Sequence, residues 1–194
     1  MRLNSFMTLP AHPPVPTVSN WIARFAAAIK PSGAVLDLAC GSGRHARHLA
    51  ALGFFVEAVD RDATGLAQLA GVARVTTRRA DLEGDVWPYT GRQFDAIVVT
   101  NYLHRPLFPL LASTLASGGV LLYETFRLGN ESYGKPSNPD FLLRPAELLD
   151  FAKAGGLTVL AYEDGFTATP KAAMVQRLCA VKSSFSPPER GRLE

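Results

Sequence analysis

Three aspartates stand where a folding argument alone would not put them. Asp37 interrupts the apolar run Val35-Leu36-Asp37-Leu38-Ala39, just ahead of Gly41 and Gly43. Asp60 closes the run Phe54-Phe55-Val56-Glu57-Ala58-Val59, and Asp81 follows Val72 to Ala80. An ionised carboxylate among buried strand residues is costly unless something partners it, so each is a candidate for ligand binding. Asn101, after Phe94 to Thr100, and Glu124, within Val120 to Phe126, continue the series. Acids at successive strand ends suit a ligand that carries positive charge and hydroxyl groups.

Positioning these residues requires strands that end on one edge. Residues 35–43 read as a buried strand running into a glycine turn, and Arg44 to Leu52 shows helical spacing up to Gly53. Such a turn lets backbone approach a ligand closely, and the helix N-terminus presents free N–H groups. Val18 to Lys30 carries Trp21, Ile22, Phe25, Ala26 and Ile29 at helical spacing, ended by Pro31. Phe54 to Asp60 is a second strand, Asp62 caps a short helix to Ala70, and Val72 to Ala80 is a third strand. Phe94 to Thr100 is a fourth. Leu107 to Ala116 is helical, stopped by Ser117-Gly118-Gly119, and Val120 to Phe126 is a fifth strand. Pro145 to Ala154 is a helix, and Leu157 to Tyr162 and Met174 to Val181 are the last strands. Strands alternating with helices predict an α/β fold, a doubly wound and mostly parallel seven-stranded sheet with helices on both faces. Ligands bind such sheets beyond the carboxyl ends of the strands. Residues 18–182 form one domain in this reading, after a proline-rich irregular arm (1–17) and before a disordered tail (183–194). The Arg127–Leu143 connection is long enough to imply a functional loop.

Gly41-Ser42-Gly43-Arg44-His45-Ala46 also fits the dinucleotide pattern G-x-G-x-x-A, with Asp60 spaced to hold a ribose. A small NAD(P)-dependent oxidoreductase is therefore the rival reading. Against it, Asp37 would face a pyrophosphate and repel it. Asp81-Leu82 would stand idle, and the chain has no room for a separate substrate domain.

The stretch Leu36-Asp37-Leu38-Ala39-Cys40-Gly41-Ser42-Gly43 resembles the first motif of class I S-adenosylmethionine-dependent methyltransferases. The resemblance covers roughly residues 18–182 at the level of pattern. It implies a Rossmann-like sheet whose last strand, Met174 to Val181, runs antiparallel. It implies S-adenosyl-L-methionine as cofactor and S-adenosyl-L-homocysteine as product. It places Asp37, Ala39, Gly41, Gly43, Asp60, Arg61, Asp81, Leu82 and Asn101 around that cofactor, with Asp60 on the ribose and Asp81-Leu82 at the adenine. Within the family, Asn101-Tyr102-Leu103-His104-Arg105-Pro106-Leu107, Tyr123-Glu124-Thr125-Phe126 and Asn138-Pro139-Asp140-Phe141-Leu142-Leu143-Arg144-Pro145 resemble small single-domain tellurite-resistance-type methyltransferases. A non-catalytic S-adenosylmethionine-binding module would share the same pocket residues.

Methyl transfer from a sulfonium needs mainly alignment, and sometimes a base for the acceptor's proton. His104 and Tyr102 are the candidate catalytic side chains. Arg105, Glu124 and Tyr133 are candidate acceptor contacts, and Tyr133 with Lys135 could close over the site. Each has a plain structural alternative. Arg105 before Pro106 could begin a turn, Tyr102 could be core, and Glu124 could pair with Arg127 or Arg144. His45 and His48 are spaced like a metal pair, yet no Cys or acid accompanies them at ligand spacing, so they read as a solvated helix face and no metal is expected. The signature Asn/Asp-Pro-Pro-aromatic is absent after the fourth strand, which argues against amide or adenine nitrogen and for a small-molecule acceptor.

Composition sets outer bounds. Hydrophobic residues are 47% and charged residues 19%, a balance that favours a packed core over disorder. The net charge is +3, and the arginines are scattered rather than striped, which does not point to nucleic acid. No apolar run is long enough to span a bilayer, and the N-terminal residues lack the apolar core of a signal peptide. Cys40 and Cys179 lie in apolar runs and read as reduced thiols, giving a cytoplasmic expectation. Neither the acceptor nor an oligomeric state follows from the sequence.

Overall fold

A computed structural model describes residues 17–84 and 86–183. The expected arm (1–17) and tail (183–194) lie outside it except at their inner ends. Seven strands form one sheet in the order β3-β2-β1-β4-β5-β7-β6. They are β1 (Ala34–Leu38), β2 (Phe55–Asp60), β3 (Val75–Arg79), β4 (Phe94–Thr100), β5 (Leu115–Phe126), β6 (Leu157–Thr167) and β7 (Ala173–Lys182). The first five run parallel; β7 is antiparallel to both β5 and β6. The helices are α1 (Asn20–Phe25), α2 (Arg44–Ala51), α3 (Ala63–Ala67), α4 (Phe108–Thr114) and α5 (Glu147–Ala154).

Alternate strand residues feed opposite faces, as period two requires. Leu36, Leu38, Ile97, Val99 and Leu121 pack with Leu111 of α4 and Phe151 of α5. Val35, Val56, Val98 and Leu122 pack with Ile22 of α1, Leu49 of α2 and Leu66 of α3. Both faces of the central strands are thus covered, which explains why β4 is apolar from Ala96 to Val99.

Several boundaries differ from the sequence reading. The first helix ends at Phe25 and tightens into a 3-10 turn at Ala26–Ala28. The third strand begins at Val75, because Gly71 and Arg74 turn the chain with φ of 74° and 62°. Leu115 already pairs with Phe94; the chain then bulges through Ser117-Gly118-Gly119 before Val120 pairs with Ala96. A Cβ on Gly119 would sit 2.8 Å from the Ala116 carbonyl, so the bulge requires glycine. β6 runs on to Thr167 because β7 pairs with it residue by residue from Ala161 onward, which its polar Glu163 and Asp164 concealed. The 127–143 connection is closed at its base by an Arg127–Leu143 bridge. The buried Asn130 pins it: its amide donates to the Pro136 carbonyl (3.0 Å) and its oxygen accepts the Met174 N–H (3.2 Å). No described helix is long and apolar enough to cross a membrane.

Candidate active site

The parallel strands deliver their carboxyl ends to one edge, and antiparallel β7 starts there. Beyond β1 the backbone turns through left-handed conformations at Ala39, Gly41 and Gly43, with φ of 52°, 56° and 76°. A Cβ on Gly43 would lie 2.5 Å from the Leu69 side chain, whereas Gly41 faces open space. One glycine is needed for packing; the other leaves bare backbone for a ligand. Ala39 takes this conformation without being glycine, at a cost of roughly 1–2 kcal/mol.

Asp60 braces the turn. One carboxylate oxygen accepts the Gly41 N–H and the other the Asp62 N–H, both at 2.8 Å. Each oxygen keeps a lone pair for a ligand hydroxyl. Asp37 is buried, and neither of its oxygens has a hydrogen-bond partner among the described residues. Burial pushes its carboxyl up to about 7; the Ala46 amide and the Arg44 charge act against this, and the Asp60 charge adds to it. The Ala46 amide stops short of hydrogen-bond geometry, so the acid remains an orphan.

Two cavities open on this edge. The first, about 400 Å³, is lined by Ala39, Asp60, Arg61, Asp81, Leu82 and Asn101, with Ala80, Glu83, Tyr102, Leu103, Thr125 and Phe126, and Pro136 and Phe141 of the 127–143 connection, completing its walls. Asp81 accepts the Glu83 N–H at 3.0 Å, and Leu82 is buried beside it. The second, about 510 Å³, shares Asn101 and Phe126 with the first. It reaches past Glu124 and Tyr133 to residues 17–20, the turn at Thr167–Ala173, and Arg177. Acids in the first cavity, an orphan carboxylate behind the glycine turn and bare Gly41 backbone fit a ligand with ribose hydroxyls and positive charge. S-adenosylmethionine has both. A pyrophosphate at Gly41 would meet Asp37 and Asp60, where like charges repel.

The candidate catalytic and acceptor residues separate. Tyr102 faces the first cavity; its buried hydroxyl has no hydrogen-bond partner among the described residues, although Glu83 lies nearby. Tyr102 is held through its backbone, whose carbonyl accepts the Tyr123 hydroxyl at 2.9 Å. His104 is half-buried and lines neither cavity. Arg105 is not free to hold an acceptor. Its Nε and Nη2 grip Glu147 at 2.6 and 3.0 Å, and it also donates to the Asp140 and Leu142 carbonyls at 2.8 Å. Burial acts to raise the Glu147 carboxyl, but hydrogen bonds from Arg105 and Arg144 outweigh it and hold it at about 2. Arg105 therefore ties the 127–143 connection to α5. Glu124 lines the second cavity but pairs with Arg177 (2.6 Å), its register partner on β7, rather than with Arg127 or Arg144. Those two arginines pair with Asp164 and Glu147. Tyr133 lines the second cavity and packs against Phe166, ring centroids 5.2 Å apart.

His45 is not on a solvated face. It is buried, accepts the Ser19 N–H on Nε2 (3.2 Å) and meets the Thr100 hydroxyl with Nδ1 (3.2 Å). Burial, with Arg44 and His48 nearby, lowers its pKa to about 3, so it is a neutral brace between residue 19 and β4. Among the described residues no group of His, Cys, Asp and Glu could hold a metal. Sequence reasoning missed Phe126, Lys171 and Arg177. The expected antiparallel last strand was the available signal, because such a strand must begin at the ligand edge.

The profile of the methyltransferase domain family matches residues 16–170. None of the curated protein sequences matches the chain. Among solved structures, TehB from Haemophilus influenzae superposes with TM-score 0.72 at 20% identity, over 86% of this chain and 63% of that one. A TehB-like SAM-dependent methyltransferase from Corynebacterium glutamicum gives TM-score 0.62 at 18% identity, over 84% and 87% of the two chains. An S-adenosylmethionine-dependent methyltransferase from Mesorhizobium loti gives 0.64 at 18% identity, over 83% and 97%. These likenesses establish the fold, and the family match decides between methyl transfer and the nicotinamide chemistry that the glycine pattern also allows. The chain belongs to the methyltransferase domain family and has the fold of S-adenosylmethionine-dependent methyltransferases.

Proposed function

We propose that residues 18–182 act as one catalytic unit that methylates a small-molecule acceptor. The adenosine lies in the first cavity, with Asp60 on the ribose hydroxyls and Asp81 and Leu82 at the adenine. Asp37, Gly41, Gly43 and Asn101 surround the charged methionine end, and Ala39 and Arg61 line the adenosine cavity. When bound, S-adenosylmethionine supplies an activated methyl group: the acceptor's lone pair bonds to the carbon, the carbon–sulfur bond breaks onto sulfur, and S-adenosylhomocysteine remains. The protein's share is alignment and water exclusion. Tyr102, beside the first cavity, is placed to shield it. His104 would need another position to serve as base, and we assign it no step. Cytoplasmic action is supported by two buried free thiols, Cys40 and Cys179.

The observation that carries this reading is the pair of acids at the glycine turn, Asp60 on the Gly41 amide and Asp37 buried without a partner. The test is thermal unfolding with S-adenosylhomocysteine, S-adenosylmethionine and NADP, on wild type and Asp60→Asn. Both adenosyl ligands should raise the midpoint and NADP should not. Loss of a ribose acceptor in Asp60→Asn should weaken binding by about 1–3 kcal/mol. Stabilisation by NADP alone would overturn the assignment.

A further inference from the structure

We propose that the second cavity takes a small amphipathic organic anion as the methyl acceptor. Its charged group sits between Lys135 and Lys171, and its apolar part lies against Phe126 and Val175. The inference rests on the reading that the first cavity holds the adenosyl cofactor.

The charges of the two cavities are opposite. The first carries Asp60, Asp81 and Glu83 against Arg61. The second carries Arg44, Lys135, Lys171 and Arg177 against Glu124. Arg177 is already neutralised, its Nε on Glu124 at 2.6 Å and its Nη1 on Glu163 at 2.8 Å. Among the described residues Arg44, Lys135 and Lys171 have no carboxylate partner, and the only polar contact of Arg44 is the Thr17 carbonyl at 3.2 Å. Arg44 nevertheless faces the Asp37 carboxyl, so Lys135 and Lys171 are the uncompensated cations, and two of them around one concavity focus a positive potential that favours an anion.

The cations are held together rather than scattered. Lys135 belongs to the 127–143 connection and Lys171 to the turn between β6 and β7. A Cβ on Gly134 would lie 3.2 Å from the Lys171 Nζ, so that ammonium sits beside the residue preceding Lys135. On either side of that turn the connection is tied down, by Asn130 to Met174 at the start of β7 and by Tyr133 to Phe166 near the end of β6. The remaining lining includes Val18, Phe126, Ala173 and Val175. About 510 Å³ with apolar walls suits an organic molecule with one charged end. Asn101 and Phe126 belong to both cavities, so an acceptor here presents its nucleophilic atom at their junction. That atom's lone pair bonds to the methyl carbon as the carbon–sulfur bond breaks onto sulfur, and any proton on the nucleophile leaves to water.

The test is titration calorimetry on the full chain saturated with S-adenosylhomocysteine. The probes are benzoate, octanoate and phenyl phosphate, with benzamide and inorganic phosphate as controls. At least one organic anion should bind at least tenfold tighter than both controls and weaken with added salt. Lys135→Gln/Lys171→Gln should weaken it at least tenfold while leaving S-adenosylhomocysteine affinity within twofold. A carboxylate that binds where phenyl phosphate does not, or the reverse, identifies the charged group within the class. Benzamide equal to benzoate, inorganic phosphate equal to phenyl phosphate, no organic anion bound, or binding unchanged in the double variant would each overturn the proposal. Absence of S-adenosylhomocysteine binding would instead overturn the cofactor reading on which it rests.

Discussion

Binding of S-adenosylhomocysteine should expel a proton from Asp37. In the free protein burial raises this carboxyl from 3.8 to about 7. A ligand ammonium beside it favours the ionised form and returns the pKa toward the carboxylate range. The apparent dissociation constant then scales as 1 + 10^(7 − pH). Relative to alkaline conditions, affinity falls about 2-fold at pH 7, about 11-fold at pH 6 and about 100-fold at pH 5. Each decade is about 1.4 kcal/mol. The stability of the free fold moves in the opposite sense. The neutral carboxyl's contribution is complete below pH 3.8 and is lost as pH rises to about 7. The assay is titration calorimetry at pH 5, 6 and 7 in buffers of different ionisation enthalpy. Wild type should release about 0.9 proton at pH 6, from the same expression. Asp37→Asn should release none and show a flat profile. A wild-type constant that does not change from pH 5 to 7, or a slope that survives Asp37→Asn, would refute the placement of the ammonium beside Asp37.

Other perturbations test the supports of the site. Arg105→Leu strands the buried Glu147 with only Arg144 for company, and urea unfolding should show a loss of about 2–3 kcal/mol. S-adenosylhomocysteine affinity should change little, since Arg105 lines neither cavity. His45 opposes Asp37 in its pH dependence. Its pKa is lowered from 6.5 to about 3, so its contribution is complete above pH 6.5 and is lost as pH falls, by up to about 1.4 kcal/mol per unit. Thermal midpoints of His45→Gln should therefore fall less between pH 6.5 and 4.5 than those of wild type. Ala39→Gly relieves a left-handed alanine at φ 52°; chemical denaturation should show a gain of about 0.5–1 kcal/mol after the extra chain entropy of glycine. No gain would mean that the turn accommodates the alanine without strain.

The sheet was legible because its signals are periodic and local. β4 was read to the residue, and Asp62 capped the helix it was expected to cap, its side chain accepting the Thr64 N–H. The acids at the strand ends were legible because an ionisable residue in an apolar run demands an explanation. The same logic failed for His45, whose burial depends on Ser19 and Thr100, residues 26 and 55 positions away. Arg105 failed likewise: a lone arginine beside a strand end looks available until α5 brings Glu147 to it. Pairings fixed by tertiary contact leave no periodic trace. The second cavity was only half readable, since its far wall comes from the hairpin of β6 and β7, whose turn pattern gave no sign of facing the acids.

The two acids at the glycine turn also bear on ligand choice. Asp60 accepts the Gly41 amide and adds its charge to the factors that keep Asp37 from ionising. The free protein therefore holds a buried carboxyl, unpartnered among the described residues, whose ionisation is opposed mainly by burial and to a lesser degree by Asp60. A phosphate at Gly41 would deepen that conflict, and a ligand without a cationic group would leave it unchanged. A cation resolves it by letting Asp37 ionise against an opposite charge. Because a ligand that binds only the native state stabilises it by mass action, relief of this conflict should appear directly in unfolding data. The adenosyl ligands should stabilise wild type more at pH 7 than at pH 5, and Asp37→Asn equally at both. Equal stabilisation of wild type at the two pH values would mean that the buried acid serves the fold alone and takes no part in selecting the cofactor.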